Sequence, residues 1–164
     1  MTNLTAERLR SLLLYDPETG YFCWRITKAN KNAGELAGCI APSGYVFIGI
    51  DGRIYRAHRL VWLYLHGVWP ENQMDHVNLD RSDNRIANLR LASSAQNKAN
   101  RRKDCRNRSG LKGAYWDRER QNWSSFIKTG GKSRFLGRHA SKEAAHAAYV
   151  AAANDLFGEF ARTS

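Results

Sequence analysis

The feature that most limits the fold is a break in the chain. Arg101-Arg102-Lys103-Asp104-Cys105-Arg106-Asn107-Arg108-Ser109-Gly110 carries five cations, one acid and, apart from Cys105, no apolar side chain. A run that has no face to bury cannot lie inside a core, so it reads as a connector between two bodies. The 164 residues then divide into a module at 1–100, a basic linker at 101–110 and a second module at 111–164. So short a second module must rest its core on a few large residues, with Tyr115, Trp116, Trp123, Phe126, Phe135 and Phe157 as candidates.

Charge follows the same division. The chain has 26 Lys and Arg against 15 Asp and Glu, a net +11. Residues 98–134 hold twelve of those cations and three acids, so nearly all the excess lies there. A balance this basic points to a polyanion, and nucleic acid is the commonest. Cys23, Cys39 and Cys105 are far apart, odd in number and never in a C-x-x-C pair, which argues against a disulfide framework and a zinc ribbon. No apolar run approaches the roughly 18 residues of a membrane span, and the first residues lack a signal pattern. The expectation is a cytoplasmic protein with no membrane partner.

Local patterns supply the elements. Thr5 caps a short helix carrying Leu9, Leu12 and Leu13, stopped by the turn formers Asp16–Gly20. Tyr21–Trp24 reads as a strand and 28–38 as a polar loop. Asp51-Gly52 between Tyr45–Ile50 and Arg53–Arg56 is a strong hairpin cue, since both turn residues must take positive φ. A helix follows from Ala57 to His66, ended by Gly67 and Pro70. Met74–Val77 is a short β stretch, the chain returns over Arg85–Leu91, and Ser93 and Gln96 have capping-box spacing for a new helix. Gly113–Trp116, Trp123–Lys128 and Arg134–Gly137 read as three strands, of which alternation sends one of Tyr115 and Trp116 outward. Ser141 caps a last helix whose buried stripe is Ala144, Ala145, Ala148, Tyr149, Ala152 and Leu156.

The chemistry concentrates between Met74 and Asn100. Asp75 ends a strand and Asn97 lies on the following helix; a β-loop-β-helix arrangement lets a carboxylate and an amide oxygen face one small cavity. Such oxygens suit one hard divalent cation, Mg²⁺ or Mn²⁺. His76 titrates near neutrality and can take a proton from a water attacking phosphorus. Of the polar pair His58-Arg59, either both face solvent or one holds a phosphate oxygen, and Arg59 is carried as the candidate.

The span from His58 to Asn100 resembles the HNH endonuclease family, in the branch of phage and intron-encoded homing enzymes. The residues that carry the resemblance are His58–Trp62, Asp75-His76, Asp83-Asn84-Arg85, Asn88-Leu89-Arg90 and Gln96-Asn97. It implies a ββα-metal fold with its core in 55–100, Asp75 and Asn97 as metal ligands, His76 as general base, and Asn88 pinning the loop so that His76 points correctly. Residues 109–160 resemble the sheet-plus-helix DNA-binding domain of plant ethylene-response factors, through Ser109-Gly110, Lys112–Trp116, Trp123, Phe135–Gly137, Glu143–Ala145, Ala148-Tyr149 and Phe157–Ala161. In that family the sheet enters the major groove. The analogy implies Tyr115, Arg118, Arg120, Trp123, Lys128 and Arg134 as DNA-facing residues. Arg101, Arg102, Lys103, Arg106 and Arg108 of the linker are expected on phosphates, not on base edges.

The chain is therefore read as α+β: a β-rich region with an HNH nuclease core, then a small three-stranded antiparallel sheet plus one helix. The expected function is metal-dependent cleavage of double-stranded DNA by a monomer. The alternative is a catalytically silent DNA-binding regulator. RNA binding is a third reading, against which stands the absence of RNP motifs.

Overall fold

The computed structural model describes residues 4–27, 30–104 and 107–163. They form an α+β protein that divides into two compact units, 1–92 and 93–164.

In the first unit, Thr5 Oγ1 accepts from Arg8 N at 3.2 Å and starts α1, Ala6–Leu12. The chain then passes straight into β1, Leu13–Tyr15, which pairs antiparallel with β2, Phe22–Trp24, in the register Leu13↔Trp24 and Tyr15↔Phe22. Between them Asp16 folds the turn, its carboxylate accepting from Glu18 N at 2.9 Å and Thr19 Oγ1 at 2.7 Å. A meander follows: β3, Cys39–Ile40; β4, Val46–Ile50; β5, Arg53–Arg56. Asp51 at φ 48 and Gly52 at φ 77 make the tight turn that their sequence announces. α2, Ala57–His66, ends on Gly67 in the left-handed region. β6, Gln73–His76, and β7, Leu89–Ala92, form a two-stranded sheet. The core gathers Leu9, Leu12 and Leu13, Phe22 and Trp24, Ile48 and Ile50, Leu60, Val61 and Leu63, with Met74 and Leu89 from the β6–β7 pair. Each such side chain contributes about 1.5–3 kcal/mol on burial.

The second unit opens with α3, Ser94–Ala99, whose Ser93–Gln96 capping box is complete. β8, Ala114–Asp117; β9, Asn122–Thr129; and β10, Lys132–His139, build one antiparallel sheet in the order β10-β9-β8. α4, Lys142–Phe157, packs on it, capped by Ser141. Among the described residues no helix is long and apolar enough to cross a membrane. Cys23 and Cys39 are free thiols.

Three expectations need correction. Strand β1 lies where the sequence suggested the end of a helix, and β3 follows the polar loop at a place where the sequence suggested no element. Leu13 is fully buried, but from a strand. The buried stripe of α4 is Ala145, Tyr149, Ala153 and Phe157, while Ala144 and Leu156 are exposed. Seven alanines around the helix make its apolar pattern almost uniform, so the sheet sets which side is covered. Tyr115 and Trp116 are both exposed, at 53% and 45%, as is Phe135 at 47%. β8 is an edge strand, and the core under α4 is built from smaller residues, Ala114, Ser125 and Ile127.

Candidate active site

The β6–β7 register sets Asp75 opposite Arg90 and His76 opposite Leu89. Cross-strand partners share a face, and the Arg90 guanidinium grips Asp75 Oδ2 through Nε and Nη2, each at 3.0 Å. The carboxylate is only 4% exposed. A buried carboxylate without such a partner is strongly disfavoured.

The loop joining the strands is held by its own polar groups. Asn88 Oδ1 accepts from Asn78 N at 3.0 Å and Asn88 Nδ2 donates to the Asp83 carbonyl at 2.9 Å. The Asn88 carbonyl accepts from Val77 N at 3.0 Å. Asp83 accepts from Arg85 Nε at 2.8 Å and from Asn78 Nδ2 at 2.8 Å. Chiefly through the Arg85 hydrogen bonds, its carboxyl is held down to about 2. Asn84, buried to 1% exposure, presents Oδ1 at 3.3 Å from His76 Nε2. Its carbonyl accepts from the Tyr15 hydroxyl at 3.0 Å, which accepts in turn from Ile86 N at 3.1 Å. Gly20 closes the same contact: a Cβ there lies 2.4 Å from Arg85 N. The β1–β2 hairpin therefore braces the loop that positions His76.

A second histidine packs against His76. The His58 ring, from the first turn of α2, meets His76 edge-on, with centroids 5.2 Å apart and planes at 89°. Tyr45 lies 5.3 Å from His58 and 5.9 Å from His76. Burial pushes His58 down to about 3, with His76, Arg56 and Arg59 adding to the effect. Burial also lowers His76, against the opposing pull of Asn84 and the neighbouring carboxylates. Both imidazoles are neutral near pH 7, the form that accepts a proton. With Asn84 Oδ1 assigned as acceptor, the His76 proton sits on Nε2 and Nδ1 is the basic nitrogen. Beside these rings, the exposed Arg56 and Arg81 guanidiniums each lie 4.8 Å from the Tyr45 ring.

The remaining candidates are placed as follows. Arg59 does not join His76: its Nη2 donates to the Pro70 carbonyl at 3.4 Å and its guanidinium lies over Trp69. Neighbouring helical residues point about 100° apart, and here it is His58 that meets His76 while Arg59 turns to Trp69. Asn97 is half-buried on α3, within the second unit. Arg101, Arg102, Lys103 and Arg108 are exposed, and Arg106 lies outside the described residues. Arg118 and Arg120 are exposed in the β8–β9 turn, with Arg120 paired to Asp117. Tyr115 and Lys128 alternate onto the open face of the sheet. Trp123 and Arg134 share the other face with Ser125 and Ile127. The sequence reading gave no role to Arg90, Asn84, Tyr45, Arg56 or Arg81. Only the strand register brings Arg90 to Asp75, and a register is not written in local pattern.

The donor set fits one kind of cation. Among the described residues no group of three or more His, Cys, Asp or Glu side chains is placed to hold a metal ion, so a closed cage of the structural-zinc type is not built here. A hard cation that keeps several waters and takes its other oxygens from phosphate needs only one or two protein carboxylates. The Asp75 carboxylate is a ligand of that kind; Asn97, the amide expected beside it, belongs to the second unit.

Residues 55–99 match the HNH endonuclease family. Protein 3.8 of Escherichia phage T7 is 32% identical over 108 residues, which are 65% of this chain and 88% of that protein. A solved structure describing DNA binding and cleavage by the HNH homing endonuclease I-HmuI covers 88% of this chain and 84% of its own, at 18% identity and a TM-score of 0.42. The chain is thus a member of the HNH nuclease superfamily, with its HNH segment at residues 55–99 and Protein 3.8 among its relatives.

Proposed function

We propose that the chain is a metal-dependent endonuclease that hydrolyses phosphodiester bonds in double-stranded DNA, a phage-encoded enzyme of the homing type acting inside the host cell as a monomer. The observation that carries this reading is a neutral, buried His76 beside Asp75, at the foot of a loop pinned by Asn88 and Asn84. His76 accepts the proton of the attacking water as its oxygen bonds to phosphorus and the bond to the leaving oxygen breaks. Asn88 and Asn84 act through His76, fixing its direction and its proton. Arg56 and Arg81, exposed over the Tyr45 ring, suit phosphate oxygens. Asp75 and Asn97 would hold one Mg²⁺ or Mn²⁺, which when bound polarises the phosphoryl oxygen. By function the division is 1–100 for cleavage, 101–110 as basic linker and 111–164 as a DNA-binding module of the ethylene-response-factor kind. That last likeness rests on the sequence pattern, since the matched family segment ends at residue 99.

A catalytically silent DNA-binding protein is the second reading, and one observation favours it: the Asp75 carboxylate is already gripped by Arg90. Supercoiled plasmid incubated with Mg²⁺ or Mn²⁺ separates the two. Wild type relaxes or linearises it while His76→Ala and an EDTA control leave it intact; open circles indicate nicking and linear product a double-strand cut. Tight binding with no cleavage under any of these conditions selects the silent protein.

A further inference from the structure

We propose that the second unit contains a binding groove for single-stranded DNA, distinct in chemistry from a reader of duplex base edges. The groove has a volume of about 1270 Å³, above the roughly 300–1,000 Å³ of ordinary small-molecule clefts. One wall is α3 and residues 101–104, carrying Lys98, Arg101, Arg102 and Lys103; the other is the sheet, carrying Tyr115, Phe126 and Lys128. Among the described residues that line it, Asp104 is the one acid against six cations.

The aromatic wall continues across the open face of the sheet. Tyr115 on β8, Phe126 on β9 and Phe135 on β10 form a row, with centroids 6.0 and 5.2 Å apart. The rings are inclined at 65° and 51° to one another, so they do not stack face to face among themselves. Arg138 lies 5.4 Å from the Phe135 centroid, adding a cation beside the row. Successive strands lie about 4.8 Å apart, which puts one ring on each strand at a spacing suited to successive unstacked bases.

Residue chemistry separates the two kinds of DNA. A duplex offers a protein the hydrogen-bonding edges of its bases and hides their faces in the stack. The row has one hydrogen-bonding group, the Tyr115 hydroxyl, and three π surfaces. Base faces become available only where the strand is unpaired, and a basic groove lined by aromatic rings is the arrangement that takes such a strand. The basic wall is also fixed in place. The Lys112 ammonium donates to the carbonyls of Ala99 at 2.9 Å, Arg101 at 2.8 Å and Arg162 at 2.7 Å, tying α3 and the start of the linker to the sheet-and-helix body. The unit as a whole carries fifteen Lys and Arg against six Asp and Glu, the charge complement of a nucleic-acid strand. The choice of DNA over RNA rests on the nuclease reading above; the groove itself does not.

The test is fluorescence anisotropy with the full chain in EDTA, so that binding is read whether or not the protein cuts. Labelled single strands of about 12 nucleotides are compared with the same sequence as duplex and as RNA. Tyr115→Leu/Phe135→Leu keeps apolar bulk at two exposed positions and removes two π faces. The double variant, with an unchanged melting temperature, should bind single-stranded DNA at least about tenfold more weakly, with a clearly smaller loss for the duplex. Trp116→Leu, on the other face, should change neither. The proposal is overturned by equal losses for duplex and single strand, by no loss in the double variant, by a loss as large at Trp116, or by tighter binding of the RNA. A chain that passes this test but fails to cleave plasmid loses the nuclease reading and keeps the groove.

Discussion

Two glycines with nearly the same backbone angle show how context decides the role of a residue. Gly20 and Gly52 sit at φ 76 and φ 77. A Cβ at Gly52 meets nothing within 4 Å, whereas at Gly20 it runs into the backbone of Asn84 and Arg85. Gly52→Ala should cost about 1–2 kcal/mol, the strain of the left-handed region alone. Gly20→Ala should cost about 3 kcal/mol or more and also lower cleavage, because the displaced segment carries Asn84. Urea denaturation checks the order, and equal costs would refute the brace. Asp83 carries a pH signature. Its pKa is lowered from 3.8 to about 2, so its contribution is complete above about pH 4 and disappears as pH falls through about 2. The stability difference between wild type and Asp83→Asn should therefore be constant from pH 4 to 7 and shrink below that; a difference that does not change with pH contradicts the Arg85 and Asn78 hydrogen bonds as its source.

At the scale of elements, the loop between β6 and β7 is held by a network of side-chain hydrogen bonds, and the hairpin β1–β2 holds it from outside through Tyr15. Tyr15→Phe removes one hydroxyl that both donates to Asn84 and accepts from Ile86. It should cost about 1–2 kcal/mol and lower kcat with little change in KM, as expected of a positioning residue. In the second unit the corresponding fastener is Lys112. Lys112→Met strips three carbonyls of a charged donor, at about 1.5–3 kcal/mol if two of them rehydrate. Amide exchange at the C-terminal end of α3 should quicken while that of β9 stays slow. Unchanged exchange there would mean that α3 is held by its packing alone.

At the scale of the molecule, the charge is lopsided: the 93–164 unit is +9 while the remainder is +2. Affinity for nucleic acid should therefore reside in the second unit and fall steeply with salt. Replacing Arg101, Arg102, Lys103 and Arg108 together by Gln should weaken binding to all sequences alike. The slope of log affinity against log salt should drop by roughly 0.7–0.9 for each phosphate left without its cation. An unchanged slope would remove the linker from the interface.

Local signals by themselves determined a good deal of this protein. Thr5, Ser93 and Ser141 start their helices because their side chains offer an acceptor to an unpaired N–H. Asp51-Gly52 turns its hairpin because both residues tolerate positive φ. The spacing of Asp75, His76, Asn88 and Asn97 carried the family, since each residue type is tied to a role that few others can fill. The strands β1 and β3 are two or three residues long, too short for an alternating pattern to show, and each is defined by its pairing with the next strand. The side of α4 that is buried, the choice of His58 over Arg59, and the pairing of Arg90 with Asp75 likewise depend on what lies opposite. Those choices are made by packing and register rather than by capping or period, so no local pattern encodes them, and the tertiary structure alone selects among arrangements that the sequence leaves equal.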